Sequence, residues 1–292
     1  MVASSEATPA GIRAAEAADL PAIITIAKAT GQDEDWDEVY PGYVAYLMTH
    51  GTLLVADRAG MVTGFGATVQ IGTGPQAICM LTDLFVAPAA HGTGTGRAIL
   101  GALWTGEQRR MTFSSLHANA LPLYTSFGVD AWWPLLYLRG DVRRLRMPPG
   151  WSVVPTEPEQ SAALESDWTG IDRITEHRFW AGWPGGTAVV ASLDGQPAAA
   201  GTIGGAGPEF GICHLAVDQR ACEDELSRDA VMAVLSWLEP ADGRARVCLP
   251  APHPATRWIL RAGWRVEEFD LYMASEPGLI DPRRLSPSPA LA

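Results

Sequence analysis

Residues 77–86 are mostly apolar with one Asp, the pattern of a buried strand. A short turn containing Pro88 follows, then glycines at alternate positions, Gly92, Gly94 and Gly96, and then residues 97–104, whose composition predicts a helix. Upstream, residues 52–60 and 61–69 read as the two arms of a hairpin. A short strand from Ile12 leads to a helix after Asp19, which is placed to act as its N-cap, with Pro21 tolerated in the first turn. Residues 1–10 read as a disordered tail, and a second helix is predicted over about 41–48. Downstream come a strand over 111–117, a short helix over 120–127 stopped by Gly128, and a strand over 131–138. The predicted order is β-α-α-β-β-β-α-β-α-β.

The pattern then recurs. Residues 143–150 end in Pro148, Pro149 and Gly150 and read as a linker. Thr187 lies 135 residues after Thr52, Gly195 after Gly60, Gly201 after Gly66, Gly263 after Gly128 and Tyr272 after Tyr137. One offset across the length of a domain indicates a tandem duplication. The chain of 292 residues is long enough for two cores, and the expected domains are 1–145 and 150–292.

A strand, a glycine turn and a helix start make an anion site, because the first N–H groups of the helix have no internal partner. Three phosphate loops compete for this stretch. A P-loop needs a Lys after its glycines, and none follows here. The dinucleotide fingerprint needs Gly-x-Gly-x-x-Gly, and the spacing here is Gly-x-Gly-x-Gly. The third is the acyl-CoA loop Gln/Arg-x-x-Gly-x-Gly/Ala, preceded by a strand ending in Leu-x-Val. His91, Gly92, Thr93, Gly94, Thr95 and Gly96 after Leu84, Phe85 and Val86 resemble it closely, with His91 where the motif has Gln or Arg. On these residues the first half resembles the GNAT superfamily of N-acetyltransferases.

The resemblance implies an α/β (α+β) fold, two tandem GNAT domains, each a mixed, mostly antiparallel sheet flanked by helices. It implies acetyl-CoA as cosubstrate. Backbone groups of Phe85, Val86 and Ala87 would bind the pantetheine arm, lying like an extra strand where two strands splay. The loop His91, Gly92, Thr93, Gly94, Thr95, Gly96 and Arg97 would hold the pyrophosphate, and Asn119 would touch pantetheine unless it serves only the turn. Tyr124 matches the family's acid that protonates the departing thiolate, and otherwise is a core Tyr of the short helix. Asp83 is either the base, a partner for a substrate ammonium, or a salt-bridged structural residue. His117 at the end of its strand is either a base or a solvent-facing histidine. Glu34 and Glu38, in a dense acidic run, either recruit a cationic amine or form a solvated face.

The second copy loses this equipment. After Val217 come Asp218, Glu223, Asp224 and Glu225 with no glycine, and Ile259 stands where Tyr124 would recur. Carboxylates there would repel a pyrophosphate, so the second domain reads as degenerate and one acetyl-CoA per chain is expected. A net charge of −12 argues against nucleic acid or anionic membrane as partner and is compatible with a cationic substrate. No apolar run of membrane-spanning length and no cationic leader is present, so a cytoplasmic monomer or homodimer is expected. Cys79, Cys213, Cys222 and Cys248 lack paired spacing, and no metal is expected. The function read from the chain is acetyl transfer from acetyl-CoA to a primary amine of a small cationic molecule. The alternatives are an acetyl-CoA sensor without turnover and a protein or peptide N-acetyltransferase.

Overall fold

The computed structural model describes residues 11–30, 42–106, 109–205, 207, 210–220, 223–240 and 242–291. The expected N-terminal tail and the acidic run with Glu34 and Glu38 lie outside the described residues. The chain folds as two compact units, residues 1–69 with 81–108, and residues 70–80 with 109–292.

The first unit contains β1 (Gly11–Ala14), α1 (Leu20–Ala29), α2 (Tyr43–His50), β2 (Gly51–Arg58), all but the last two residues of β3 (Met61–Ile71), all but the first three of β4 (Ile78–Val86), and α3 (Thr95–Leu103), with sheet order β1-β2-β3-β4. The β2–β3 hairpin closes on Ala59 and Gly60, with φ of 53° and 81°, the left-handed pair whose twist matches that of the strands. Val55, Ala56, Phe65, Ala67, Ile99 and Leu100 are fully buried in its core. Gly64 and Gly66 let α3 lie close on the sheet. A Cβ on Gly66 would stand 2.7 Å from Ile99 Cγ2, and one on Gly64 would stand 2.9 Å from the Phe85 carbonyl. The helix that carries the glycine loop is thereby pressed against β3 and β4.

Asp19 precedes α1 but does not cap it. Its carboxylate takes the Arg13 guanidinium at 2.7 and 2.9 Å and the Glu16 N–H at 2.8 Å. A charge-assisted, two-pronged pair is stronger than a bond to a helix N–H, and β1 puts the arginine within reach.

The second unit contains β5 (Arg109–Ser114), α4 (Ala120–Thr125), β6 (Asp130–Asp141), β7 (Trp151–Thr156), α5 (Pro158–Thr169), α6 (Ile174–Ala181), β8 (Thr187–Leu193), β9 (Gln196–Gly204), β10 (Gly211–Val217), α7 (Asp224–Trp237), β11 (Arg244–Pro250), α8 (Thr256–Arg261), β12 (Arg265–Ala274) and β13 (Leu285–Ser286). Its strand order is β5-β12-β6-β11-β10-β9-β8-β7, with β13 on β10. The last strands of the two sequence repeats are exchanged. β12, from the second repeat, lies between β5 and β6, while β6, from the first, lies between β12 and β11. Tyr272 of β12 opposes both Phe113 and Trp133, with ring centroids 5.6 and 4.3 Å away. Tyr137 of β6 bonds Asp270 of β12. This exchange is why residues 109–141 pack with the second repeat, although the sequence repeat itself turns over near 145–150.

The duplication is visible in backbone detail. Asp194 and Gly195 have φ of 49° and 80°, repeating Ala59 and Gly60 at the 135-residue offset. The N–H of Val129 bonds the Tyr124 carbonyl, and that of Trp264 bonds the Ile259 carbonyl. Both copies build the mixed, mostly antiparallel sheet flanked by helices that was expected, with β10 and β11 as a parallel pair. Among the described residues no helix is long and apolar enough to cross a membrane.

Candidate functional site

In the first unit β4 runs through Asp83 to Val86, a tight turn follows at Pro88–Ala90, and α3 starts at Thr95. Gly94 is the N-cap with φ of 83° and carries no side chain to cap the helix. A Cβ at Gly92 or Gly94 would meet nothing within 4 Å, so the outer face of the loop is open, and left-handed backbone keeps it glycine. The first N–H groups of α3 are aimed from this open face, which fits an anion of pyrophosphate size.

The side chains around the loop brace it. Thr93 Oγ1 donates to the Ala90 carbonyl at 2.8 Å and lies 2.8 Å from Thr95 Oγ1. Thr95 is buried, so it can offer a ligand only its backbone N–H. His91 Nε2 donates to the Val86 carbonyl at 2.8 Å, turning the ring back onto the end of β4. The N–H of Ala87 bonds the Thr63 carbonyl at 2.9 Å and its carbonyl accepts the Ala90 N–H at 2.8 Å, so both of its backbone groups are engaged within the fold. Phe85 and Val86 are half-buried on the same strand end, and Gly96 and Arg97 lie in the first turn of α3.

Asp83 is 8 % exposed and its Oδ2 accepts the Tyr43 hydroxyl at 2.8 Å. Burial pushes its carboxyl up to about 6, against the hydrogen bonds of Thr82 and Tyr43, which favour the charged form. Among the described residues no cationic side chain forms an ion pair with it. The described residues thus supply no salt bridge of the kind considered for Asp83. A carboxylate buried beside apolar groups and short of a counter-charge is the environment of a general base or of a cation site.

His214, which stands three residues before Val217 at the end of β10 as Asp83 stands three before Val86 at the end of β4, has the opposite surroundings. Glu165, also buried, receives His177 Nε2 at 2.7 Å and His214 Nε2 at 2.9 Å, and Arg173 Nε lies 3.4 Å away. Together the two imidazoles and Arg173 hold the Glu165 carboxyl far below its ordinary range despite burial. Burial in turn holds His214 below the ordinary histidine range. The ligand atoms of Glu165, His177 and His214 fall within 4.8 Å of one another, a spacing that suits a metal ion. Arg173 is the cation that faces the carboxylate here. Each repeat thus buries a carboxylate at this strand position, Asp83 on the strand itself and Glu165 against His214, and among the described residues a cation pairs with Glu165 and none with Asp83.

In the second unit Tyr124 is buried on α4. Ile259, fully buried, holds the matching place on α8. β5 ends at Ser114, so His117 does not close that strand as the sequence pattern suggested. Polar Ser115 ends the apolar run, and His117 sits exposed in the following turn, its Nδ1 accepting the Asn119 N–H at 3.3 Å. Asn119 is exposed, precedes α4 and provides no side-chain cap.

The structure thus gathers Asp83, Phe85, Val86, Ala87 and the loop 91–97 in one unit, and holds His117, Asn119 and Tyr124 on one short turn and helix of the other. Sequence reasoning missed Tyr43, which is 40 residues from Asp83 and meets it only through the packing of α2 on β4. It also missed the Glu165 cluster, whose members come from α5, α6 and β10 with no motif spacing.

Residues 49–129 match the family model described as the acetyltransferase (GNAT) domain. No curated protein matches the sequence. Among solved structures, a putative acetyltransferase from Pyrococcus horikoshii superposes with a TM-score of 0.67 at 13% identity, over 100% of this chain and 98% of that one. A tandem GNAT protein of the clavulanic acid biosynthesis pathway superposes with a TM-score of 0.58 at 14% identity, over 93% and 100%. A GCN5-related N-acetyltransferase from Sphaerobacter thermophilus gives 0.53 at 15%, over 96% and 98%. At these identities the likeness is one of fold, and it extends over both repeats.

Proposed function

We propose that this chain, whose residues 49–129 match the acetyltransferase (GNAT) domain model, transfers the acetyl group of acetyl-CoA to a primary amine of a small cationic molecule. The observation that carries this reading is Asp83, a buried carboxylate with a hydroxyl partner and no ion pair among the described residues, on the strand that leads into the glycine loop.

In this reading the loop 91–97 holds the pyrophosphate by backbone N–H groups, and the end of β4 binds the amide arm. An ammonium group entering the site meets the Asp83 carboxylate. Asp83 takes one ammonium proton, the freed amine attacks the thioester carbonyl, and the carbon–sulfur bond breaks as the acylated nitrogen gives its second proton to water, from which Tyr124 is later reprotonated. Tyr124 gives its phenolic proton to the leaving thiolate, for which a phenol is matched in acidity. Acceptor charge is set by attraction to Asp83, with the chain's net charge of −12 adding a long-range pull on cations.

A panel of mono- and polyamines, amino sugars and N-terminal peptides, scored by CoA release at fixed acetyl-CoA, tests the proposal. Turnover of a small amine is the expected result. Acetyl-CoA binding without CoA release from any member would make the protein a sensor, and release only with peptides would make it a protein-modifying enzyme.

A further inference from the structure

In the second repeat a cavity of about 220 Å³ opens between the start of α7, the turn after β11 and Arg283. It lies outside the sheet, where Leu285 and Ser286 of β13 pair with β10. Its apolar lining is Ala251, Pro252 and Pro254, from the turn that joins β11 to α8. The remaining lining is charged or carries an N–H group. A cavity of about 150 Å³ is enough for benzene, so this one has room for more than water.

His253 lines this cavity and is 2 % exposed. Its Nδ1 accepts the Ala255 N–H at 3.1 Å, which fixes the hydrogen of the neutral ring on Nε2. Nε2 has no hydrogen-bond partner among the described residues. Burial, with Arg284 and Arg283 nearby, pushes the ring down to about 3, so it stays neutral and Nε2–H remains a donor. A buried N–H without an acceptor costs free energy, and a ligand oxygen would satisfy it. The charges around it favour an anion. Arg283 pairs with Asp224, and Arg228 pairs with Asp229 and lies in the field of Glu225. Arg257 is exposed on the lining and enters no ion pair among the described residues, so it is the cation in excess. The buried Arg284 guanidinium, bonded to Ser227 Oγ and the Glu223 carbonyl, adds to the positive field. Glu223, the N-cap of α7, gives no side-chain cap to the N–H groups of the first turn.

We infer that this cavity is a binding site for a small monocarboxylate with a short apolar body. Its oxygens accept from His253 Nε2–H and the Arg257 guanidinium, and its body lies on Ala251, Pro252 and Pro254. One negative charge matches the one cation in excess. A phosphate dianion suits the site less, because the Asp224 and Glu225 carboxylates stand on the same helix turn and repel a second charge. The site uses neither the glycine loop nor Asp83, so it does not depend on acetyl transfer by the first repeat.

A titration of the full chain followed by NMR, without acetyl-CoA, tests this. Butyrate is the probe, inorganic phosphate the comparison, and sodium chloride the control for ionic strength. Butyrate should shift the His253 Nε2–H resonance and saturate in the millimolar range. His253→Asn offers an amide oxygen to the Ala255 N–H and removes the Nε2 donor. It should weaken butyrate at least about tenfold, as expected for one hydrogen bond to a charged group. Arg257→Gln, a change at an exposed side chain, should weaken it about threefold. That variant carries the test should His253→Asn fail to fold. A saturable shift weakened in the folded variants supports the site. No saturable shift, butyrate affinity unchanged in the folded variants, or phosphate shifting His253 as tightly as butyrate overturns the inference. Turnover has no part in this readout, so this inference and the acetyl-transfer reading fail separately.

Discussion

The Tyr43 hydroxyl donates to Asp83 Oδ2 at 2.8 Å, joining the first turn of α2 to the middle of β4 across 40 residues of chain. The bond stabilises the carboxylate in a site that otherwise disfavours it. A hydrogen bond to a charged group contributes about 1.5–3 kcal/mol, or roughly one to two pKa units. Tyr43→Phe should therefore raise the Asp83 pKa above its value of about 6. Carbon-13 titration of aspartate carboxyls reads this directly, and the acidic limb of kcat/KM should move up with it. A limb that stays in place with a shifted carboxyl would remove Asp83 as the base.

The same carboxylate has a cost for the fold. Its folded pKa lies above the unfolded value, so ionisation works against folding as pH rises from about 4 through about 6. Above that range the penalty is roughly 2–3 kcal/mol. Asp83→Asn keeps an acceptor for Tyr43 and removes the charge. It should melt higher than wild type at pH 8, match it at pH 4, and lose acetyl transfer. Thermal melts at the two pH values check the sign.

Glu165 should behave in the opposite way. Its folded pKa is depressed by His214, His177 and Arg173, so its contribution is full above the ordinary carboxylate range, declines below it, and is lost only as pH falls through the depressed folded value. Glu165→Gln leaves Arg173 buried without a counter-charge and should destabilise by about 3–5 kcal/mol at pH 7. Urea denaturation at pH 7 and pH 3 should show a large difference between the proteins at the first and a reduced one at the second.

Gly94→Glu should abolish acetyl-CoA binding. The Cβ has room, since nothing lies within 4 Å, but φ of 83° strains any side chain by about 1–2 kcal/mol. The added charge sits at the start of α3, where pyrophosphate must approach. Calorimetry should find one site in the wild type and none in the variant, with the fold retained by circular dichroism. Unchanged affinity would remove the loop from the cofactor site.

Tyr124→Phe should lower turnover by about 10²–10⁴, the range for one acid–base group. Acetyl-CoA affinity should hardly change, because the buried ring remains. Stopped-flow measurement of CoA release at saturating acetyl-CoA separates the two effects. Full activity would assign the proton to water or another residue.

The sequence by itself determined the repeat, the element order and the glycine loop. Each rests on short-range physics. Apolar runs on either side of a turn mark β2 and β3, a left-handed pair closes their hairpin, and positive φ at Gly94 permits one tight helix entry. A constant 135-residue offset then shows that the same local rules were used twice. Tertiary structure alone decided the rest, because those facts depend on which distant groups share a dry space. Asp19 was available as a cap until Arg13 came within reach on β1. Asp83 became a high-pKa carboxylate because burial strips it of water and α2 delivers only a hydroxyl in partial compensation, whereas the fold brings Arg173, His177 and His214 to Glu165. No spacing rule encodes that β12 inserts between β5 and β6, or that residues 284–286 fill the gap beside β10. Strand pairing is satisfied by any edge of matching length, and the edge that wins is the one whose partners bury Tyr272, Leu285 and Leu291 together with their backbone bonds.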